Sequence, residues 1–183
     1  VRLDIFPDGG VARLRVHGMP APDWARLRSL GGAIDLAALE NGAVVESCSD
    51  MFFGSRNNLI KPGNPPNMSD GWETRRRRGP GHDWAIVRLG AAGTISRVEI
   101  DTNHFKGNFP DRCSIQATSA AGGTAESMVT QSMFWPQLLP EQKLQMDHQH
   151  FFRSDILAHS AISHVRFNIH PDGGVSRLRL RGK

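Results

Sequence analysis

The sequence predicts an all-β domain, a jelly-roll β-sandwich with long loops and one or two short helices. Three observations carry that prediction. Nineteen Gly and eleven Pro punctuate 183 residues at short intervals, as the turns of a strand-rich chain require. Val, Ile, Phe and Thr gather between them in short runs that alternate with polar residues, the two-residue period of a half-buried strand. No apolar run approaches the roughly 20 residues of a membrane-spanning helix.

Composition narrows the class further. Apolar content of 39% and charged content of 22% belong to a globular chain. A net charge of +4 suits a nucleic acid, a membrane surface or a small anion, and equally a mildly basic surface with no partner. The two cysteines, Cys48 and Cys113, lack a CxxC neighbour, which argues against a thiolate zinc site. Both sit in apolar alternation and are expected to be buried reduced thiols, in keeping with a cytoplasmic setting. Val1 in place of an initiator Met suggests processing or a piece of a longer chain.

A repeat sets the domain organisation. Residues 1–18 and 165–182 agree at twelve of eighteen aligned positions, at an offset of 164. A period that long is a whole domain. Residues 1–18 are therefore expected to be the closing β-hairpin of a preceding repeat, 19–30 a linker, and 31–183 a complete repeat. In each copy an alternating run (Val165, Phe167, Ile169) meets Pro171-Asp-Gly-Gly174, strong turn chemistry. An arginine-faced return run follows (Arg177, Arg179, Arg181). That arginine face reads as an anion site or as the solvated side of a sheet.

Within the complete repeat, Asp35 is expected to cap a short helix over 36–40, stopped by Asn41-Gly42. Val44 to Cys48 reads as a strand. Residues 57–70, with three Pro and four Asn, form a long loop of the kind that carries function. Residues 70–84 then gather four consecutive arginines, Glu73, His82-Asp83 and two tryptophans directly before the apolar run Ala85 to Leu89. This is a charged rim handed to a core strand. Gly90 to Gly93 reads as a turn and Ile95 to Asp101 as a strand. Extending its register places Thr102, His104, Lys106 and Asn108 on one side. Cys113, Ile115 and Ala117 mark another strand. Residues 120–124 are small and flexible in composition, 134–140 a packed loop, 141–146 a helical turn opened by Pro140, and 148–152 a last strand. Seven or eight short strands result, enough for a jelly roll.

Candidate chemistry concentrates in two places. Arg75, Arg76, Arg77 and Arg78 offer planar forks that match carboxylate and ureido groups. In an extended run only alternate arginines face one ligand, and a solvated or nucleic-acid-facing run is the competing reading. No aromatic RNA motif or DNA-binding helix accompanies it. His82 beside Asp83, and His104 with Lys106, Asn108, Glu99 and Asp101 nearby, supply groups for acid–base work. His148 and His150 have the i, i+2 spacing of strand-borne metal ligands. No nucleophile elbow, P-loop or dinucleotide fingerprint is present.

Three motifs, Asp70-Gly-Trp-Glu-Thr-Arg-Arg-Arg-Arg78, Gly81-His-Asp-Trp-Ala-Ile-Val-Arg-Leu-Gly90 and Glu99-Ile-Asp-Thr-Asn-His-Phe-Lys-Gly-Asn-Phe-Pro110, together with the twice-occurring Pro-Asp-Gly-Gly, closely resemble the allantoicase family. The resemblance covers nearly the whole chain. It implies tandem jelly rolls of galactose-binding-like type and hydrolysis of allantoate to ureidoglycolate and urea in purine degradation. The residues it points to are Glu73, His82, Asp101 and His104 for catalysis. Arg75 to Arg78, Lys106 and Asn108 would bind the substrate. It requires no cofactor, while leaving a divalent metal open. The expected partner is a small anionic substrate met by a cytoplasmic homo-oligomer, without nucleic acid or membrane. A non-catalytic small-ligand or sugar-binding sandwich is the alternative, since the fold serves both purposes.

Overall fold

The computed structural model of the chain describes residues 1–120 and 123–183. Ala121 and Gly122, part of the stretch expected to be flexible, lie outside the described residues. A short helix α1 (Trp24–Ser29) is capped by Asp23, whose carboxylate accepts the Arg26 N–H. The strands that follow are β1 (Ile34–Asp35), β2 (Val44–Cys48), β3 (Trp72–Glu73), β4 (Asp83–Gly93), β5 (Ile95–Asp101) and β6 (Arg112–Thr118). Helix α2 (Ala125–Ser132) precedes β7 (Gln137–Lys143), β8 (Gln149–Phe152), β9 (Ile162–His170), β10 (Gly174–Val175) and β11 (Arg177–Gly182).

These strands build a sandwich. One sheet has the order β2-β4-β9-β6-β7, the other β1-β11-β5-β8, and β10 pairs with β3 in a two-stranded ribbon at one end. Alternation decides what fills the middle. Ala85, Val87 and Leu89 of β4, Val165, Phe167 and Ile169 of β9, and Cys113 and Ile115 of β6 point inward to meet Val98, Ile100, Leu178 and Leu180. The residues between them point out of the sandwich.

Several sequence expectations are corrected here. The second copy of the repeated stretch is not a hairpin: β9 and β11 lie in different sheets, and the Pro171–Gly174 turn carries the chain across the sandwich. Gly90 to Gly93 is not a turn but the end of β4. A Cβ at Gly90 would stand 1.9 Å from the Asn41 carbonyl oxygen, so glycine there serves close approach. The expected helix at 36–40 is instead a 3-10 turn over Leu39–Asn41. Asp35 accepts N–H groups from Ala37 and from Leu180 of β11, which spends its cap on the sheet. Residues 141–143 continue β7. It is an edge strand, where the missing N–H of Pro140 costs no ladder bond.

At Arg177 and Arg179 the arginine face of β11 is neither solvated nor an anion site. Arg177 is 3% exposed and donates to the carbonyls of Asn58, Gly63, Asp70 and Ser176 at 2.7–3.1 Å and to the Asp70 carboxylate at 2.5 Å. Arg179 holds the carbonyls of Lys61 and Gly63. The long loop is thus fastened to the sheet by guanidinium groups. It brings Gly71 and Trp72 to the end of the sandwich in a fixed position.

Candidate active site

At that end the chain folds four segments around a cleft of about 540 Å³. They are β3 with the arginine run after it, the loop after β5, the turn between β9 and β10, and Phe53. Glu73 enters on β3, with Gly54 bridged to it on one side and Gly174 of β10 paired on the other. Asn108 arrives from the loop after β5, and its amide donates to Glu73 Oε1 at 2.5 Å.

The arginine run is divided by three carboxylates. Asp50 accepts the Arg75 backbone N–H at 2.8 Å and pairs with its guanidinium at 3.2 Å, while that guanidinium lies 4.8 Å from the Phe52 ring. Burial works against ionising Asp50, yet the N–H groups of Arg75 and Phe52 and the Arg75 guanidinium hold its carboxyl below the ordinary value. Asp172 accepts the Arg77 backbone N–H at 2.8 Å, and the Arg77 side chain pairs with the buried Asp83 at 2.5 Å. Arg76 and Arg77 line the cleft, and all four arginines border a second, more open groove beside Asp50 and Asp83. Among the described residues neither Arg76 nor Arg78 has a carboxylate partner. Arg76 is therefore the cleft-lining guanidinium whose charge is uncommitted.

The cleft brings together Glu73, Arg76, Arg77 and Asn108, four of the residues singled out from the sequence. The others lie elsewhere. His82 sits on the outer face of the five-stranded sheet, its Nε2 3.2 Å from Asn168 Oδ1 and its ring centroid 4.5 Å from that of His170 at a tilt of 38°. Burial lowers its pKa against the opposing Asn168 hydrogen bond. Asp101, 6% exposed at the end of β5, accepts from the Asn103 N–H at 2.7 Å and the Gln149 amide at 3.2 Å. The strand register does not run on past it. His104 has φ 72°, donates its backbone N–H to Asp147, and places Nε2 3.0 Å from the Pro65 carbonyl oxygen. Lys106 is exposed and lies 3.6 Å from Asp147. Thr102, His104, Lys106 and Asn108 consequently do not share a side.

No group of three or more His, Cys, Asp or Glu side chains that could hold a metal occurs among the described residues. His150 accepts the Gln145 N–H at Nε2 and so must donate from Nδ1 to the Ile100 carbonyl. Both nitrogens are spent, which removes the His148–His150 pair as a chelate. Sequence reasoning missed Asp172, Phe53 and Phe109 at the cleft. The one signal for Asp172 was the twice-occurring Pro-Asp-Gly-Gly, which turn chemistry seemed to explain completely.

With this geometry in view, the comparisons with known proteins are direct. Residues 34–183 match the family model described as the allantoicase repeat. The chain is 58% identical over 183 residues to a probable allantoicase 2 of Burkholderia pseudomallei, covering all of this chain and 54% of that protein. It is 54% identical over 182 residues to a probable allantoicase of Ralstonia nicotianae, again covering 54% of it. The crystal structure of allantoicase from Saccharomyces cerevisiae superposes with a TM-score of 0.71 at 40% identity, over 82% of this chain and 43% of that one. A fucolectin from striped bass serum, at 13% identity and a TM-score of 0.59 over 83% of this chain and 49% of that one, shares the fold alone. The chain spans about half the length of the curated relatives it matches.

Proposed function

The chain belongs to the allantoicase family, and from that premise we propose that its cleft hydrolyses allantoate to ureidoglycolate and urea, a step of purine degradation. The observation that carries the reading is the meeting of the uncommitted Arg76 with the Glu73–Asn108 pair in one cleft. Allantoate is an anion with a carboxylate and two ureido groups on a single carbon. A guanidinium fork matches the carboxylate with two parallel N–H donors. Hydrolysis adds the oxygen of water to that carbon and breaks one C–N bond, and urea departs with a proton. Glu73 Oε1 is held by Asn108, while Oε2 has no hydrogen-bond partner among the described residues. That second oxygen is the base available to take the proton from the attacking water.

Arg77, neutralised by Asp83, borders the cleft as a donor for a ureido carbonyl. His82, Asp101, His104 and Lys106 lie outside the cleft, and no step is assigned to them. The competing reading is a ligand-binding sandwich without chemistry. Urea release from allantoate, measured with and without added divalent metal, separates the two. Glu73→Gln should lower kcat by about 100-fold or more while the fold persists, the scale of a lost general base. Binding without urea release by the wild-type protein, or near-normal kcat in Glu73→Gln, would overturn the reading.

A further inference from the structure

The turn Pro171–Gly174 touches β3, the arginine run and the loop after β5. Asp172 Oδ2 accepts the Arg77 N–H at 2.8 Å. The Gly173 carbonyl accepts the Thr74 N–H at 3.2 Å, and the Gly173 N–H donates back to Thr74 Oγ1 at 3.1 Å. The Gly174 N–H donates to the Asn108 carbonyl at 2.8 Å, and Gly174 is the register partner of Glu73. The Gly173 and Gly174 contacts are made by the backbone of the turn. The Asp172 contact is made by a side chain, and it reaches 95 residues along the chain to the arginine run.

We propose that Asp172 is a positioning residue for substrate recognition: its carboxylate fixes the Arg77 amide and thereby aims the preceding side chain, Arg76, into the cleft. The proposal rests on the allantoate reading above. The geometry behind it is that the run at 75–78 belongs to no strand and, among the described residues, is held at two backbone points only, Arg75 N–H on Asp50 and Arg77 N–H on Asp172. Arg76 is the residue between those points. With both amides held, its backbone is fixed on either side; with one released, the exposed guanidinium is free to swing toward solvent, and its fork loses the fixed orientation that bidentate recognition needs.

The turn has holds that do not involve this carboxylate: the Gly173 N–H and C=O bind Thr74, and the Gly174 N–H binds the Asn108 carbonyl. Removing the Asp172 carboxylate should therefore leave the turn and the ribbon formed and change only what is held.

The test is a double-mutant cycle on allantoate turnover, with Asp172→Ala, Arg76→Ala and the pair, and Asp172→Asn as the conservative variant. Asp172→Ala should raise KM about tenfold or more, with kcat changed by about threefold at most, the scale of one charge-assisted hydrogen bond. Asp172→Asn retains an acceptor oxygen and should recover most of the loss. The double variant should be no worse than Arg76→Ala, because the two residues act as one unit. An unchanged KM in Asp172→Ala, or effects of the two single variants that multiply, would overturn the proposal. Amide hydrogen exchange at Arg77 gives a readout independent of activity. Should wild-type protein release no urea, the functional reading falls; loss of Arg77 amide protection in Asp172→Ala would still support the hold, and unchanged protection would overturn it.

Discussion

Replacing Arg177 by Met tests whether the long loop is fastened by a buried guanidinium. The side chain is 4% exposed and donates to five acceptors, the carbonyls of Asn58, Gly63, Asp70 and Ser176 and the Asp70 carboxylate. Met fills much of the space and supplies no donor. Breaking a buried ion pair by removing one partner costs about 3–5 kcal/mol. Asp70 is 21% exposed and keeps Lys61 at 2.6 Å, so the lower end applies, about 3 kcal/mol. In a chain of this size that corresponds to a fall in Tm of about 6–12 °C. Urea denaturation followed by tryptophan fluorescence reads it, since Trp72 directly follows that loop and its indole N–H donates to the Asp50 carbonyl. Arg181→Met is the control. Its partner Glu99 and its own side chain are partly solvated, and the loss should stay below about 1 kcal/mol. Equal losses in the two variants would refute the fastening. Acid behaviour supplies a second check. Lys61 first, and Arg177 next, hold the Asp70 carboxyl below its ordinary 3.8. Its contribution is thus complete above 3.8 and lost as the pH falls through the depressed value. Arg177→Met should weaken that acid loss.

Two further outcomes follow from burial. His82, His150, His164 and His170 all have pKa values lowered from the ordinary 6.5, each chiefly by burial. The unfolded chain then binds more protons than the folded one just below 6.5, so stability is complete above that value and declines as the pH falls beneath it. The urea midpoint should drop between about pH 7.5 and about pH 5.5; a level or rising midpoint would refute the neutral buried imidazoles. Burial also pushes the Cys113 thiol up to about 12, and raises that of the half-buried Cys48 less far. A thiol reagent at about pH 8 should modify Cys48 slowly in the native protein and Cys113 only after unfolding. Equal native rates would contradict the packing of β6.

Much of the fold was legible because alternation is a direct record of which side of a sheet is buried. Val165, Phe167 and Ile169, or Val98 and Ile100, announce their faces without help from the rest of the chain. What alternation does not record is the sheet that a strand joins. The Pro171–Gly174 turn has the chemistry of a hairpin, yet it spans the sandwich. The choice is made by β3, whose Trp72 and Glu73 capture Val175 and Gly174 from far along the chain. Gly90-Ala-Ala-Gly93 misled for a related reason: glycine marks a turn and a close backbone approach equally well. At the site, Glu73 and Asn108 were recognisable from motifs, but the division of the four arginines was not. It depends on where Asp50, Asp83 and Asp172 arrive, and those positions are set by three different segments.

The repeated stretch separates local from tertiary instruction within one chain. At 165–182 its apolar residues are buried and its arginines hold a loop; at 1–18 the equivalent Leu3, Ile5, Val11 and Leu14 are exposed. Gly9 and Gly173 share a positive φ, 141° and 130°, but strand formation requires neighbours that supply both a hydrogen-bond ladder and an apolar face. The site follows the same rule. The Pro171–Gly174 turn becomes part of a cleft only where β3, the arginine run and the Asn108 loop converge on it, and Asp172 is where that convergence meets the arginines.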